Sequence, residues 1–328
     1  MKAIVFEQPG DESVLRLGEA ERPALAAQQI RIRVVATAVN RADLLQRQGF
    51  YPPPKGASPI LGLECAGEVI EVGASVRGWK TGDRAMALLA GGGYAERVAV
   101  HAGSVLPVPD GMSDEEAGAF PEVFLTAFSN LFMPGLGAIG PRETALIHGG
   151  GGGVGTAAIT LLRDAGHRVF VTAGSDEKCR QCIAHGATAA INYRREDFSA
   201  RVQTLTNGRG VDVILDHIGG KYLQPNLEAL AIGGRLVEIG LMGGARGDLD
   251  LGRMLMRRLA VIGSTLRTRS VAEKAAIVDA FRDRFGHSLA AGRLRPIVHA
   301  VLPLARAGDG HRTMKASEHF GKIVLHVA

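Results

Sequence analysis

Residues 145–155 read Ala145-Leu146-Ile147-His148-Gly149-Gly150-Gly151-Gly152-Gly153-Val154-Gly155. A short apolar run predicts a strand over Thr144–His148. The glycines predict a tight loop, and Thr156–Ala165 has the apolar spacing of a helix. Gly150, Gly152 and Gly155 satisfy G-x-G-x-x-G in the strand–loop–helix setting that a dinucleotide fingerprint requires. Glycines let the backbone approach a pyrophosphate. The helix N-terminus, here Gly153, Val154 and Gly155, offers N–H groups and a partial positive charge.

Outward from this stretch, strands and helices alternate. Strands are expected at His167–Thr172, Ala189–Asn192, Val211–Asp216, Arg235–Ile239 and Leu259–Ser264, with a helix over Asp176–His185 after the second. This rhythm predicts an α/β fold, a Rossmann-type doubly wound parallel sheet. The first ~120 residues read differently. Short apolar runs at Ile30–Val39, Gly67–Val72, Arg84–Leu89 and Ala95–Val100, separated by Gly, Pro and Asp, predict a β-rich domain. A helix over Glu122–Phe132 leads into the nucleotide domain, and an amphipathic helix over Val271–Ala291 follows it. Strand-like pieces at Ile297–Leu302 and Lys322–Val327 resemble the first domain, so the tail is expected to cross back. The expected domains are 1–121 with 293–328, and 122–292.

An NAD-specific site carries Asp or Glu about 20 residues after the fingerprint, to bind the ribose 2′-OH. Here Gly174 stands 19 residues past Gly155, followed by Ser175 and Lys178. Donors and positive charge suit a 2′-phosphate, and Tyr193 adds a hydroxyl. The expected cofactor is therefore NADPH. Asp176 and Glu177 count against this reading, and capping by Ser175 with a solvated Lys178 is the plain alternative. The loop after the fifth strand, with Leu241 and Met242, lies where ligands bind in such sheets. His217 ends the fourth strand in the same crevice, where a structural role is the expectation. Cys179 and Cys182 form a C-x-x-C inside a helix, which is the wrong place for a reactive pair.

The chain has 328 residues, 46% hydrophobic and 22% charged, with 44 glycines and a formal charge of +5. That length suits two domains. Lys and Arg are scattered, so no nucleic-acid partner is expected. No run reaches the ~18 apolar residues of a membrane span, and no signal stretch opens the chain. Three cysteines make no disulfide framework, so a cytoplasmic address is expected.

Further motifs run through the whole chain: Asn40-Arg41-Ala42-Asp43-Leu44-Leu45-Gln46-Arg47-Gln48, Ile60-Leu61-Gly62-Leu63-Glu64, Pro121-Glu122 with Leu125-Thr126-Ala127-Phe128, Thr172-Ala173-Gly174-Ser175, Asn192-Tyr193, Gly240-Leu241-Met242-Gly243-Gly244 and Gly321-Lys322-Ile323-Val324-Leu325. With these, the chain resembles the medium-chain dehydrogenase/reductase superfamily. Within it, the chain is most similar to the zinc-independent, zeta-crystallin-like quinone oxidoreductases of the p53-inducible type. The resemblance implies a GroES-like β-rich catalytic domain beside the Rossmann domain. It also implies a homodimer pairing through Leu259–Ser264, a substrate-facing Tyr51 and a cofactor contact at Thr126.

Zinc-dependent members use a Cys near the position of Asn40 and a His in Gly-His-Glu, which here reads Gly62-Leu63-Glu64. Neither Asn40 nor Leu63 suits zinc, so no metal is expected. Without a Lewis acid, electrophilic acceptors are favoured. The leading expectation is NADPH:quinone oxidoreduction, with a quinone or enone as small-molecule partner. Tyr51 is the donor to the acceptor oxygen, and Asn40 orients nicotinamide or substrate. The alternatives are an enone or enoyl reductase and, in another class, a low-turnover NADPH-binding sensor or structural protein. Glu64 is assigned no chemistry, only a framework or salt-bridge role.

Overall fold

The computed structural model describes residues 1–327. The described residues form two compact units, residues 126–265 and residues 1–125 with 266–327.

The first of these holds a six-stranded sheet. Its spatial order is Ala189–Asn192, Arg168–Ala173, Thr144–Ile147, Val211–Asp216, Leu230–Glu238, Ala260–Gly263. Every neighbouring pair is parallel. Strands Thr144–Ile147 and Val211–Asp216 are buried at every position, as expected of a sheet covered on both faces. Numbered along the chain, the order is 3-2-1-4-5-6, the doubly wound arrangement. It reverses direction between Thr144–Ile147 and Val211–Asp216, so the loops leaving Ile147 and Asp216 flank the switch point, where ligands bind in such sheets.

The other unit is built on a seven-stranded sheet. Strand Gln29–Ala38 pairs antiparallel with Glu64–Val72, Arg97–His101 and Lys322–His326. The strand Lys322–His326 also pairs in parallel with Val298–Pro303, so the tail completes the N-terminal sheet as the sequence suggests.

The unit boundaries fall at 125/126 and 265/266. The expected boundaries were 121/122 and 292/293. The difference is the helix Val271–Ala290, which groups with the β-rich unit. Its inward stripe carries Ile277, Val278, Phe281, Phe285 and Leu289. Phe281 meets Phe120 edge-on, with ring centroids 5.9 Å apart, and Phe120 stacks on Phe124 at 3.9 Å. Such aromatic contacts add to the area they bury. Amphipathicity located the helix but did not say which core it covers.

Phe281 is fully buried. Phe281→Ala should cost about 3–5 kcal/mol, measured as a shift in urea midpoint at unchanged slope.

Candidate active site

In the nucleotide unit, helix Gly153–Asp164 starts directly after the glycine loop, with Gly152 as its N-cap. The first helical bond runs from Thr156 N–H to Gly152 O at 2.9 Å. The N–H groups of Gly153, Val154 and Gly155 precede it, and they are the donors a helix start offers an anion. Gly155 is obligatory, because a Cβ there would lie 2.3 Å from Gly149 O. Around Gly152 a Cβ would meet only Gly149 O, at 3.4 Å, which leaves space for a ligand. Gly150 N–H bonds Thr172 O at 2.8 Å and fastens the loop to the second strand.

The empty acidic slot also keeps its character in three dimensions. Ser175 caps helix Asp176–His185, its Oγ accepting from Lys178 N–H at 3.2 Å. The Tyr193 hydroxyl lies against Gly174, where a Cβ would come within 2.6 Å of it. Asp176 is engaged, bonded by Asn192 Nδ2 at 2.6 Å and paired with Arg195 at 2.5 Å. Glu177 pairs with Arg180. The two acids that spoke against a 2′-phosphate are thus engaged by partners of their own. Gly174, Ser175, Lys178 and Tyr193 are left together at the end of the second strand.

At the switch point, Met242 N–H bonds His217 O at 3.1 Å and Gly243 N–H bonds Ile218 O at 2.6 Å. These bonds join the two loops and leave Leu241 and Met242 more than half exposed. The His217 ring covers Gly149, where a Cβ would come within 2.4 Å of its Cε1. Beneath lies a buried polar chain. His148 meets Thr172 Oγ1 at 3.0 Å and Asn226 Oδ1 at 2.7 Å, and Asn226 Nδ2 donates to Asp216 at 2.9 Å. Burial and the nearby Asp216 push Glu238 up to about 8. Thr126 is buried in helix Pro121–Phe132, its carbonyl accepting from Asn130 Nδ2 at 2.8 Å. Burial raises the thiols of Cys179 and Cys182, the latter to about 12, which is the opposite of a reactive pair.

In the β-rich unit the decisive residue is Glu64, fully buried. Its Oε1 accepts from Asn40 Nδ2 at 2.9 Å and from Lys322 Nζ at 2.8 Å, and its Oε2 from Glu122 N–H at 2.9 Å. Lys322 Nζ also donates to Asn40 Oδ1 at 2.6 Å and Val39 O at 3.1 Å. A lysine ammonium is therefore the cation held between Asn40 and Glu64. Neutral Asn40, apolar Leu63 and this ammonium do not suit zinc. Both ends of the Asn40 amide are engaged inside the unit. Here Asn40 bridges Glu64 and Lys322, where the sequence suggests that it orients nicotinamide or substrate.

A second layer surrounds this group. Asp43 accepts from Asn40 N–H at 2.8 Å, Gly62 N–H at 3.0 Å and Tyr94 OH at 3.2 Å. Burial still pushes Asp43 up to about 6. Tyr94 OH meets His311 at 3.2 Å, and His311 meets Arg47 at 3.3 Å. Burial and the guanidinium hold His311 down at about 3, so it stays neutral. Tyr51 lies under Arg267, whose guanidinium carbon is 5.3 Å from the ring centroid and whose Nη1 bonds Tyr51 O at 3.2 Å. Arg267 is itself fixed by Gln46 Oε1 at 2.5 Å and Ala90 O at 2.9 Å. Burial raises the Tyr51 phenol and Arg267 opposes that shift, so Tyr51 remains a neutral donor at pH 7.

Sequence reasoning passed over Lys322, Arg267, Asp43 and Glu122. Lys322 and Arg267 were hidden by distance along the chain. Asp43 and Glu122 lay inside quoted motifs, but nothing in their spacing marked them as buried.

Residues 26–110 match the alcohol dehydrogenase GroES-like domain, and residues 153–280 the zinc-binding dehydrogenase family. A solved NAD-dependent alcohol dehydrogenase is 32% identical, with all of both chains covered and a TM-score of 0.86. The chain belongs to the medium-chain dehydrogenase/reductase superfamily, in its zinc-independent quinone oxidoreductase branch. Escherichia coli quinone oxidoreductase, solved in complex with NADPH, is 28% identical, covering 99% of this chain and 100% of that one, with a TM-score of 0.87. The CurK enoyl reductase is also 28% identical, covering 100% and 99%, with a TM-score of 0.87. A mycocerosic acid synthase-like polyketide synthase of Mycobacterium tuberculosis is 32% identical over 328 residues, or 99% of this chain. The chain spans 15% of the length of that synthase.

Lys322→Met should cost about 3–5 kcal/mol, because it strands the buried Glu64 charge. Lys322→Met with Glu64→Gln should recover most of that in urea titrations. Burial, reinforced by Glu64, pushes Glu122 up to about 8 from an ordinary 4.5. The folded protein then keeps a proton that the unfolded chain loses, so stability falls as pH rises between those values. In Glu122→Gln this fall in melting temperature should shrink by the share of one carboxyl, Asp43 and Glu238 supplying the rest.

Proposed function

We propose that this protein is an NADPH:quinone oxidoreductase. The observation that carries the reading is the ammonium of Lys322 between Asn40 and Glu64. With a neutral amide at Asn40, an apolar Leu63 and an ammonium beside Glu64, these residues would hold no Lewis acid to polarise the acceptor, and the acceptor must itself be electrophilic. Quinones meet that demand.

The residues present fit the cofactor. The backbone of Gly150, Gly152, Gly153, Val154 and Gly155 would hold the pyrophosphate, with the open space at Gly152 facing it. Gly174, Ser175, Lys178 and Tyr193 would receive the 2′-phosphate, now that Asp176 and Glu177 are paired elsewhere. Thr126, Leu241 and Met242 would contact the nicotinamide end. Bound there, the cofactor supplies a hydride. Tyr51 donates a hydrogen bond to the acceptor oxygen as charge develops on it. Arg267 fixes the Tyr51 backbone and adds positive charge beside the ring. Asn40 holds Glu64 and Lys322 in register behind them.

A second reading is favoured by a specific finding: CurK is an enoyl reductase, and the mycobacterial relative is a polyketide synthase. An activated alkene next to a carbonyl presents the same oxygen to Tyr51. A homodimer pairing through the edge strand Ala260–Gly263 fits both readings, supported by the exposed Leu255 and Met256 just before it. A cytoplasmic setting is in keeping with the three unpaired cysteines.

NADPH oxidation at 340 nm with ortho-quinones, para-quinones and enones tests the reading, with NADH alongside. Fast quinone turnover with NADPH alone is expected, and Tyr51→Phe should lower kcat about 10- to 100-fold at unchanged NADPH affinity. Turnover confined to enones establishes the second reading. NADPH binding without turnover on any acceptor overturns both.

A further inference from the structure

Reducing a quinone or enone consumes a proton as well as a hydride, and Glu122 has no task in the reading above. We propose that Glu122 is the proton donor of the reaction, its carboxyl group protonating the acceptor as hydride arrives. This rests on the reductase reading of the same site.

Three carboxyl groups cluster in the β-rich unit. Glu64 is saturated by Asn40, Lys322 and the Glu122 N–H. Asp43 is saturated by Asn40 N–H, Gly62 N–H and the Tyr94 hydroxyl. Of the three, only Glu122 has an oxygen, Oε2, that is closed off from solvent with no hydrogen-bond partner. Glu122 stands in the first turn of helix Pro121–Phe132. Glu64 faces it from strand Glu64–Val72, Lys322 from the last strand, Asp43 from helix Arg41–Arg47 and Lys274 from helix Val271–Ala290. Tyr51 and Arg267, the pair assigned to the acceptor, both feel its charge.

The cations nearby are committed elsewhere. Lys322 is engaged by Asn40, Val39 and Glu64, and Lys274 Nζ donates to Arg267 O at 2.7 Å. An anion beside Glu64 and without its own cation prefers to keep a proton. The group is pushed up to about 8, so it is an acid at neutral pH and can still release its proton.

The step balances. Hydride brings two electrons and one hydrogen to the acceptor. The O–H bond of Glu122 breaks, and a new O–H bond forms on a quinone, or a C–H or O–H bond on an enone. The carboxylate left behind takes a proton from water, through the part of Glu122 that stays open to solvent, before the next turnover.

The test compares wild type with Glu122→Gln, which has the shape and neutrality of the protonated acid. The expected result is a loss of about 100-fold or more in kcat with quinone, at unchanged NADPH binding by fluorescence and unchanged melting temperature at pH 6. Wild-type kcat should fall as pH rises through about 8, while the residual rate of the variant stays flat there. Infrared titration of the wild type without cofactor should show protonated-carboxyl absorption with the same midpoint, which loses one carboxyl's amplitude in Glu122→Gln while the part due to Glu238 remains. If that variant does not fold, Glu122→Asp carries the test, and its rate midpoint must move together with its infrared band. A variant that keeps full rate, or keeps the wild-type fall with pH, overturns the proposal. Wild type that turns over no quinone or enone overturns the reductase reading instead, and the infrared band still reports the acid.

Discussion

The β-rich unit depends on one buried ion pair. Lys322 and Glu64 face each other at 2.8 Å with almost no solvent access. Two charges removed from water are tolerable only when paired and fully hydrogen-bonded. Here Asn40 bridges them, bonding the carboxylate through Nδ2 and the ammonium through Oδ1. The same carboxylate takes the Glu122 N–H, so it also anchors the first turn of the helix that leads out of the unit. Three segments far apart in sequence meet on one charge pair, and the C-terminal strand returns to supply the lysine.

The pair also sets the electrostatics around it. One cation compensates one carboxylate, and the remaining carboxyl groups must fend for themselves. Asp43 does so with three donors, while Glu122 does so by keeping its proton. This is the usual way a site obtains acids of different strength from identical side chains. Beside Tyr51 the positive charge comes from Arg267, fixed over the ring by backbone and side-chain bonds.

The nucleotide unit was largely legible in the sequence because its signals are local. The fingerprint, the strand rhythm and the vacant acidic slot lie within runs of a few tens of residues, and each reflects a steric or electrostatic demand of the backbone. Even the doubt raised by Asp176 has a local answer, since Asn192 and Arg195 are close in sequence to Tyr193. The β-rich unit was legible in outline, through its strands and the returning tail. Its chemistry was not, because Lys322 is 282 residues from Asn40 and no periodicity links them. Helix Val271–Ala290 groups with the β-rich unit, whereas the sequence suggests the nucleotide domain, for a related reason. A helical stripe announces that a core exists without naming which one, and Phe120 decided it through packing.

The central claim is direct hydride transfer to an electrophilic acceptor without metal assistance. Single-turnover quinone reduction with NADPH deuterated at its transferable position, in the presence of a strong zinc chelator, tests it most directly. The account predicts a rate slowed by deuterium and indifferent to the chelator. A rate abolished by the chelator and restored by zinc, or one that deuterium leaves unchanged when transfer is the only step observed, would contradict it.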